Sequence, residues 1–121
     1  MALFDTTAFR ILEQGASVMW QRTQVIQENI ANQDTPNYNC KYLDFAGILK
    51  EKLRADGSIK KELNLATQLR IDKLTSDQAD RNNVDSDVQQ AEMLKTQYQL
   101  DAIINQMNGN FTRIRSAIVT K

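Results

Sequence analysis

The stretch whose residue types most suggest ligand chemistry is Asp77, Asp80, Asn82, Asn83, Asp85 and Asp87, an oxygen-rich run of the kind that binds calcium. Its spacing does not fit. With Asn83, Asp85 and Asp87 as the first three ligands of an EF-hand loop, the obligatory glycine would fall on Val88 and the bidentate glutamate on Leu94. Capping of a helix that starts near Asp85 explains these residues better. Cys40, next to Lys41, is the lone thiol, and no partner cysteine, base or oxyanion donor stands near it in sequence. The chain has no histidine, which removes the commonest general base and metal ligand and every Ser/His or Cys/His nucleophile. Paired carboxylates for acid–base work would come from helical Asp and Glu that no pattern buries. Fifteen Lys and Arg balance fifteen Asp and Glu in interleaved order, which argues against nucleic acid. The aromatics Phe9, Trp20, Tyr38, Tyr42 and Tyr98 lack the basic interleaving of a stacking platform. No catalytic group, cofactor site or metal site is therefore expected, and the protein reads as a non-enzyme.

One segment is specified without being chemical. Asn29-Ile30-Ala31-Asn32, followed by Thr35-Pro36 and Tyr38, joins a helix end, two Asn able to bond backbone groups, a proline turn and an exit aromatic. It reads as a corner that redirects the chain after a long helix.

The elements that position this corner follow from periodicity. Apolar pairs recur every seven residues over 8–32 as Ile11-Leu12, Val18-Met19 and Val25-Ile26, a helical stripe. Asp5, Thr6 and Thr7 can cap this helix, and it must end by Thr35, which precedes Pro36. A second long helix begins after Asn82-Asn83-Val84-Asp85, with Asp85 or Ser86 as cap and Ser86 with Gln89 at capping-box spacing. Met93, Leu100, Met107 and Ile114 recur at seven residues, with Ile104, Phe111 and Ile118 four residues after the last three. Gln97 interrupts this seam, and Leu94 and Ile103 read as lying off it. Between the helices, 44–55 reads as a short amphipathic helix with Phe45, Ile48, Leu49 and Leu53 on one face, and Asp56-Gly57-Ser58 as a turn. Leu63, Leu65, Leu69 and Ile71 suit a small β element, although Leu65 and Leu69 also suit a helix.

The expected fold is all-α dominated, with two long terminal helices pairing as an antiparallel coiled-coil hairpin around a short, partly irregular central segment. A two-helix hairpin buries only one stripe of each helix, so the remaining apolar residues call for a further partner. The alternative is a compact three- or four-helix bundle in which the central segment covers those faces. Residues 1–9 carry Asp5 and lack a basic and an apolar region, so no cleavable signal peptide is expected; no run reaches the roughly 18 apolar residues of a membrane span.

The corner residues, with Asn82-Asn83-Val84-Asp85 and Asp87 opening a helix that contains Tyr98 and ends in Ile114-Arg115-Ser116-Ala117-Ile118, resemble the bacterial flagellar rod and hook axial proteins. The short middle is similar to that of the small proximal rod subunits. Asn37 stands where the family usually has Gly, a substitution that Asn tolerates if the position needs φ > 0. Ser86 replaces an apolar residue, and Gln89 and Gln90 stand where Glu is frequent. The resemblance implies structural roles for Asn29, Ala31, Asn32, Thr35, Pro36 and Tyr38 in the corner, and for Asn83, Val84 and Asp85 at the start of the last helix. It implies an axial core formed by 1–40 and 81–121 around a variable 41–80. Helix packing within and between subunits would use Ile11, Val18, Val25, Leu100, Ile104, Met107, Phe111, Ile114 and Ile118. The implied partners are copies of the chain, other rod subunits and the basal-body proteins that join the rod to the membrane ring and export gate, without nucleic acid. The implied location is the periplasmic rod of the basal body, reached through the flagellar type III apparatus without signal cleavage. A rival reading from the helical stripes is a cytosolic adaptor or export chaperone that presents an amphipathic groove.

Overall fold

The computed structural model of the chain describes residues 6–52, 69–72 and 81–119, with the backbone alone for 49–52. Helix α1 runs Thr7–Ala31. Thr6 caps it from an extended conformation, its hydroxyl accepting from the Phe9 N–H at 3.3 Å. The helix stops before the proline requires it to, because Asn32 terminates it from both backbone and side chain. The Asn32 N–H donates to the Glu28 and Asn29 carbonyls, and its amide donates to the Glu28 carbonyl at 2.8 Å. In the turn that follows, the Tyr38 N–H donates to the Thr35 carbonyl at 3.3 Å across Pro36 and Asn37. Asn37 has φ 60°, so proline at the second position and a left-handed third residue match a type II turn, and the site that favours glycine is filled by Asn.

Strand β1 (Lys41–Leu43) pairs antiparallel with β2 (Leu69–Ile71), Tyr42 opposite Arg70. Helix α2, expected to span 44–55, covers Phe45–Lys52; the Asp44 carboxylate accepts from the Gly47 N–H at 3.0 Å and pairs with Arg70 at 3.3 Å. A Cβ on Gly47 would sit 2.6 Å from the Asp44 carboxylate, so a side chain there would make the carboxylate shift from its present position. Leu53, the 56–58 turn, Leu63 and Leu65 lie outside the described residues.

Helix α3 covers Ser86–Val119, about 50 Å at 1.5 Å per residue. Its cap is Asp85, whose carboxylate accepts from the Asp87 and Val88 N–H groups at 2.9 and 3.3 Å. The expected Ser86–Gln89 capping box does not form. Asp85 already satisfies the first N–H groups, which frees the Ser86 hydroxyl to bond Gln33 and the Gln89 amide to turn into the helix interface.

The two long helices run antiparallel, as four contacts show. Asn29 meets Gln89, Arg22 pairs with Glu92, Gly15 lies against Ile103, and Phe9 meets Phe111 edge-to-face at 5.2 Å and 79°. The α1 side of the seam is Leu12, Gly15, Met19, Arg22, Ile26 and Asn29, in alternating steps of three and four. On α3 the column Met93, Leu100, Met107 and Ile114 is joined by Thr96, Ile103 and Asn110, each three residues after a member of the first. Ile103 thus belongs to the seam, contrary to the sequence expectation that sets it aside; Leu94 is exposed. Polar Thr96 is tolerated at full burial because its hydroxyl donates to the Glu92 carbonyl at 2.7 Å.

Candidate functional site

The corner is held by side-chain amides. Asn29, fully buried on the last turn of α1, donates to the Lys41 carbonyl at 2.7 Å and to the Gln89 side-chain oxygen at 2.9 Å. Its own oxygen accepts from the Lys41 N–H at 3.0 Å and the Tyr38 hydroxyl at 3.2 Å. One amide therefore treats β1 as a neighbouring strand would, taking both its N–H and its C=O, while also reaching α3. Asn82 is likewise fully buried and donates to the Asn32 and Thr35 carbonyls, both at 2.8 Å, while accepting from the Val84 N–H. Asn83 accepts from the Cys40 N–H at 2.6 Å and donates to the Asp72 carbonyl at 3.1 Å, closing the end of the ribbon where the Asp72 N–H meets the Cys40 carbonyl.

The structure thus brings Asn29, Asn32, Thr35 and Tyr38 together with Asn83, Val84 and Asp85. Val84 is buried beside them, whereas Ala31 and Pro36 are exposed. Two members absent from the candidate set are central to the corner, Asn82 and Gln89. A doublet of Asn ahead of a helix cap was the readable signal for the first; the second reads in sequence as the capping-box partner of Ser86 and instead bonds Asn29 and Cys40.

Around this knot the Cys40 thiol is pushed above its ordinary 9.0 by burial and then by Asp72, and Tyr38 is raised by burial and then Glu28. Lys41 is raised by its hydrogen bond to Glu28. A thiol held protonated at neutral pH, with the Gln89 amide donating to its sulfur at 3.4 Å, is a packing group rather than a nucleophile. Among the described residues no group of three or more His, Cys, Asp or Glu is placed to hold a metal, and no described helix is long and apolar enough to cross a membrane.

The hairpin has two unequal flanks. On one, the column Ile11, Val18 and Val25 turns toward the β1–α2 layer, and Val18, Leu43 and Ile48 form a buried cluster with Phe45 against it. Part of the surface that a bare hairpin would expose is therefore covered from within the chain. The other flank is fixed by the Phe9–Phe111 contact, which places Phe9 and Ala16 of α1 beside Ile104 and Phe111 of α3, with Ile118 one heptad further along α3. Ile104 and Phe111 are each 43% exposed and Ile118 73%, with Trp20 60% exposed at the edge. Leu100, Met107 and Ile114 are half-buried in the seam.

No family model matches the chain. It is 31% identical over 126 residues to the flagellar basal body rod protein FlgB of Bacillus subtilis (strain 168), an alignment covering 98% of this chain and 97% of that protein. With the protein of the same name from Aeromonas hydrophila it shares 27% identity over 128 residues, again 98% of this chain and 97% of the relative. A 47-residue stretch is 38% identical to the Escherichia coli (strain K12) protein of that name, covering 39% of this chain and 34% of that one.

Proposed function

Since the chain belongs to the FlgB family of flagellar basal body rod proteins, we propose that it is a structural subunit of the proximal rod, and that the flanks of its helical hairpin are the surfaces by which it assembles. The observation that carries this reading is the apolar inventory. Among the described residues six apolar side chains are buried, whereas eleven large ones are exposed, six of them on α3 beyond its first turn. A chain that hides so little of its apolar surface gains most of its order from neighbours.

In this reading residues 1–40 and 81–121 form the axial core and 41–80 the variable insert. Ile11, Val18, Val25, Leu100, Met107 and Ile114 serve packing within the chain, and Ile104, Phe111 and Ile118 serve packing between subunits. The amide corner sets the angle at which the ribbon leaves the hairpin. Partners are copies of the chain, other rod subunits and the proteins that join the rod to the membrane ring and export gate, with export by the type III route into the periplasmic rod. No step of the role asks for catalysis.

Fractionation tests it. The protein should co-purify with detergent-insoluble basal bodies, and a strain lacking it should export rod components without building a rod; recovery only in the soluble fraction would refute the assignment.

A further inference from the structure

The exposed flank is periodic, and its periodicity identifies what it fits. Ile104 and Phe111, seven residues apart and beside Phe9 and Ala16, are spaced so that a third helix lying in the groove between α1 and α3 would be met at every second turn, and Ile118 continues the same α3 column. Elsewhere on α3, away from both this flank and α1, sits a second apolar patch of Ala91, Leu94 and Tyr98, with Leu94 54% and Tyr98 67% exposed. The two patches lie on different faces of the hairpin. A contact between them is heterologous, and a heterologous contact propagates into a ring or helix instead of closing a pair.

Resting on the rod-subunit reading above, we infer that the Trp20–Ile104–Phe111 flank receives the Leu94–Tyr98 face of α3 from a second copy of this chain. Charge decides the direction. With the two α3 helices parallel and staggered by about nine residues, about 13 Å, the incoming Tyr98 falls between Ile104 and Phe111. The antiparallel register that sets Gly15 level with Ile103 sets Glu13 level with residue 105, so the incoming Lys95, on the side of its helix that faces α1, arrives beside exposed Glu13. Lys95 is free to turn outward, since its side chain is 58% exposed and its contact to Glu92 is 3.4 Å long. An antiparallel neighbour with Tyr98 in the same slot would carry Lys95 about 8 Å along the axis from Glu13.

Two single variants on a Cys40→Ser background, Tyr98→Cys and Phe111→Cys, carrying different tags and expressed together, test this in purified basal bodies treated with a short bis-maleimide. The expected product is the mixed-tag dimer, at least tenfold over either same-tag dimer. Lys95→Glu or Glu13→Lys alone should cut its yield severalfold, and the two together should restore it. Same-tag Phe111→Cys dimers, crosslinks of the Phe111 position to a different protein, or single swaps without effect overturn the inference while leaving the rod assignment intact. Basal bodies that lack the chain altogether overturn both.

Discussion

Asn29 is where the corner is most exposed to a decisive test, because one fully buried side chain makes four hydrogen bonds to three elements. Asn29→Ala strands the Lys41 N–H and C=O and one side of Gln89. At about 1 kcal/mol net per hydrogen bond, with water replacing part of the loss at half-buried Lys41 and Tyr38, the cost comes to about 3 kcal/mol. That is a large share of the roughly 5–15 kcal/mol by which a domain is stable. Amide hydrogen exchange on the full chain reads it locally. The Lys41 N–H is held by the Asn29 oxygen and should lose about a hundredfold in protection, since each 1.4 kcal/mol is about tenfold. Asn29→Asp sharpens the argument, because a carboxylate oxygen would replace the amide nitrogen against the Lys41 and Gln89 oxygens, 2.7 and 2.9 Å away. Only the protonated acid can donate there, so its folded pKa rises above the unfolded value of about 3.9. A raised folded pKa stabilises below the unfolded value, and that stability is lost as pH rises through the folded one. The Asp variant should therefore be more stable near pH 4 than near pH 7. Unchanged Lys41 exchange in the Ala variant, or an Asp variant that is indifferent to pH, would refute the account of Asn29 as the tie between α1, β1 and α3.

Phe111→Asp removes the edge-to-face contact with Phe9 but buries no charge in the monomer, so it should cost about 1 kcal/mol in thermal unfolding yet abolish motility; a motile strain would deny this flank its assembly role. A Cβ at Gly15 would stand 3.3 Å from the flexible end of Ile103. Gly15→Ala should therefore be neutral or stabilising through a helix propensity gain of up to about 1 kcal/mol, while Gly15→Leu forces the helices apart and costs about 1–3 kcal/mol. Equal melting temperatures for the two would mean that the helices do not approach closely there. Cys40, Tyr38 and Lys41 all have raised values, so the stability each contributes is complete below its ordinary value and is lost as pH rises through the folded one. Urea unfolding at fixed pH should show that loss setting in above the thiol's ordinary 9.0, with Cys40→Ser delaying its onset toward tyrosine's 10.0; stability that increases over that range would contradict the packing of Cys40.

The helices were legible because Ile11-Leu12, Val18-Met19 and Met93, Leu100, Met107 each repeat at a helical period, and the start of α3 because Asp85 is a residue type that caps; the end of α1 was legible only as a bound set by Pro36, and Asn32 stops the helix earlier. The positive φ of Asn37 was legible through the resemblance, which puts Asn where Gly is usual. The second column of the α3 seam was not. Thr96 and Asn110 are polar, and hydrophobicity favours Ile104 and Phe111, but a seam phase is chosen by what the partner helix offers, here Gly15 against Ile103. Strand β1 escaped for a related reason: three residues carry no period, and the Asn29 amide holds both the N–H and the C=O of Lys41 from 12 positions away. Gln89 reads as the capping-box partner of Ser86 until the antiparallel register sets it against Asn29.

That register also explains why the knot is built from amides. The described polar or charged side chains at full or near-full burial are Asn29, Asn82, Gln89 and Thr96, with no ionised group among them. An amide offers donor and acceptor together, so it can answer both halves of a peptide bond without the desolvation cost of a charge. A carboxylate at Asn29 could accept from Lys41 but not donate to it, and a lysine could donate but not accept. Because amides do not titrate, and the shifted groups around them are all raised from values of 9.0 or more, the corner keeps one protonation state throughout neutral pH. Under the rod assembly proposed above, a subunit that must present the same angle to every neighbour is served by that constancy. Histidine or a buried ion pair in the same position would have made the angle depend on pH.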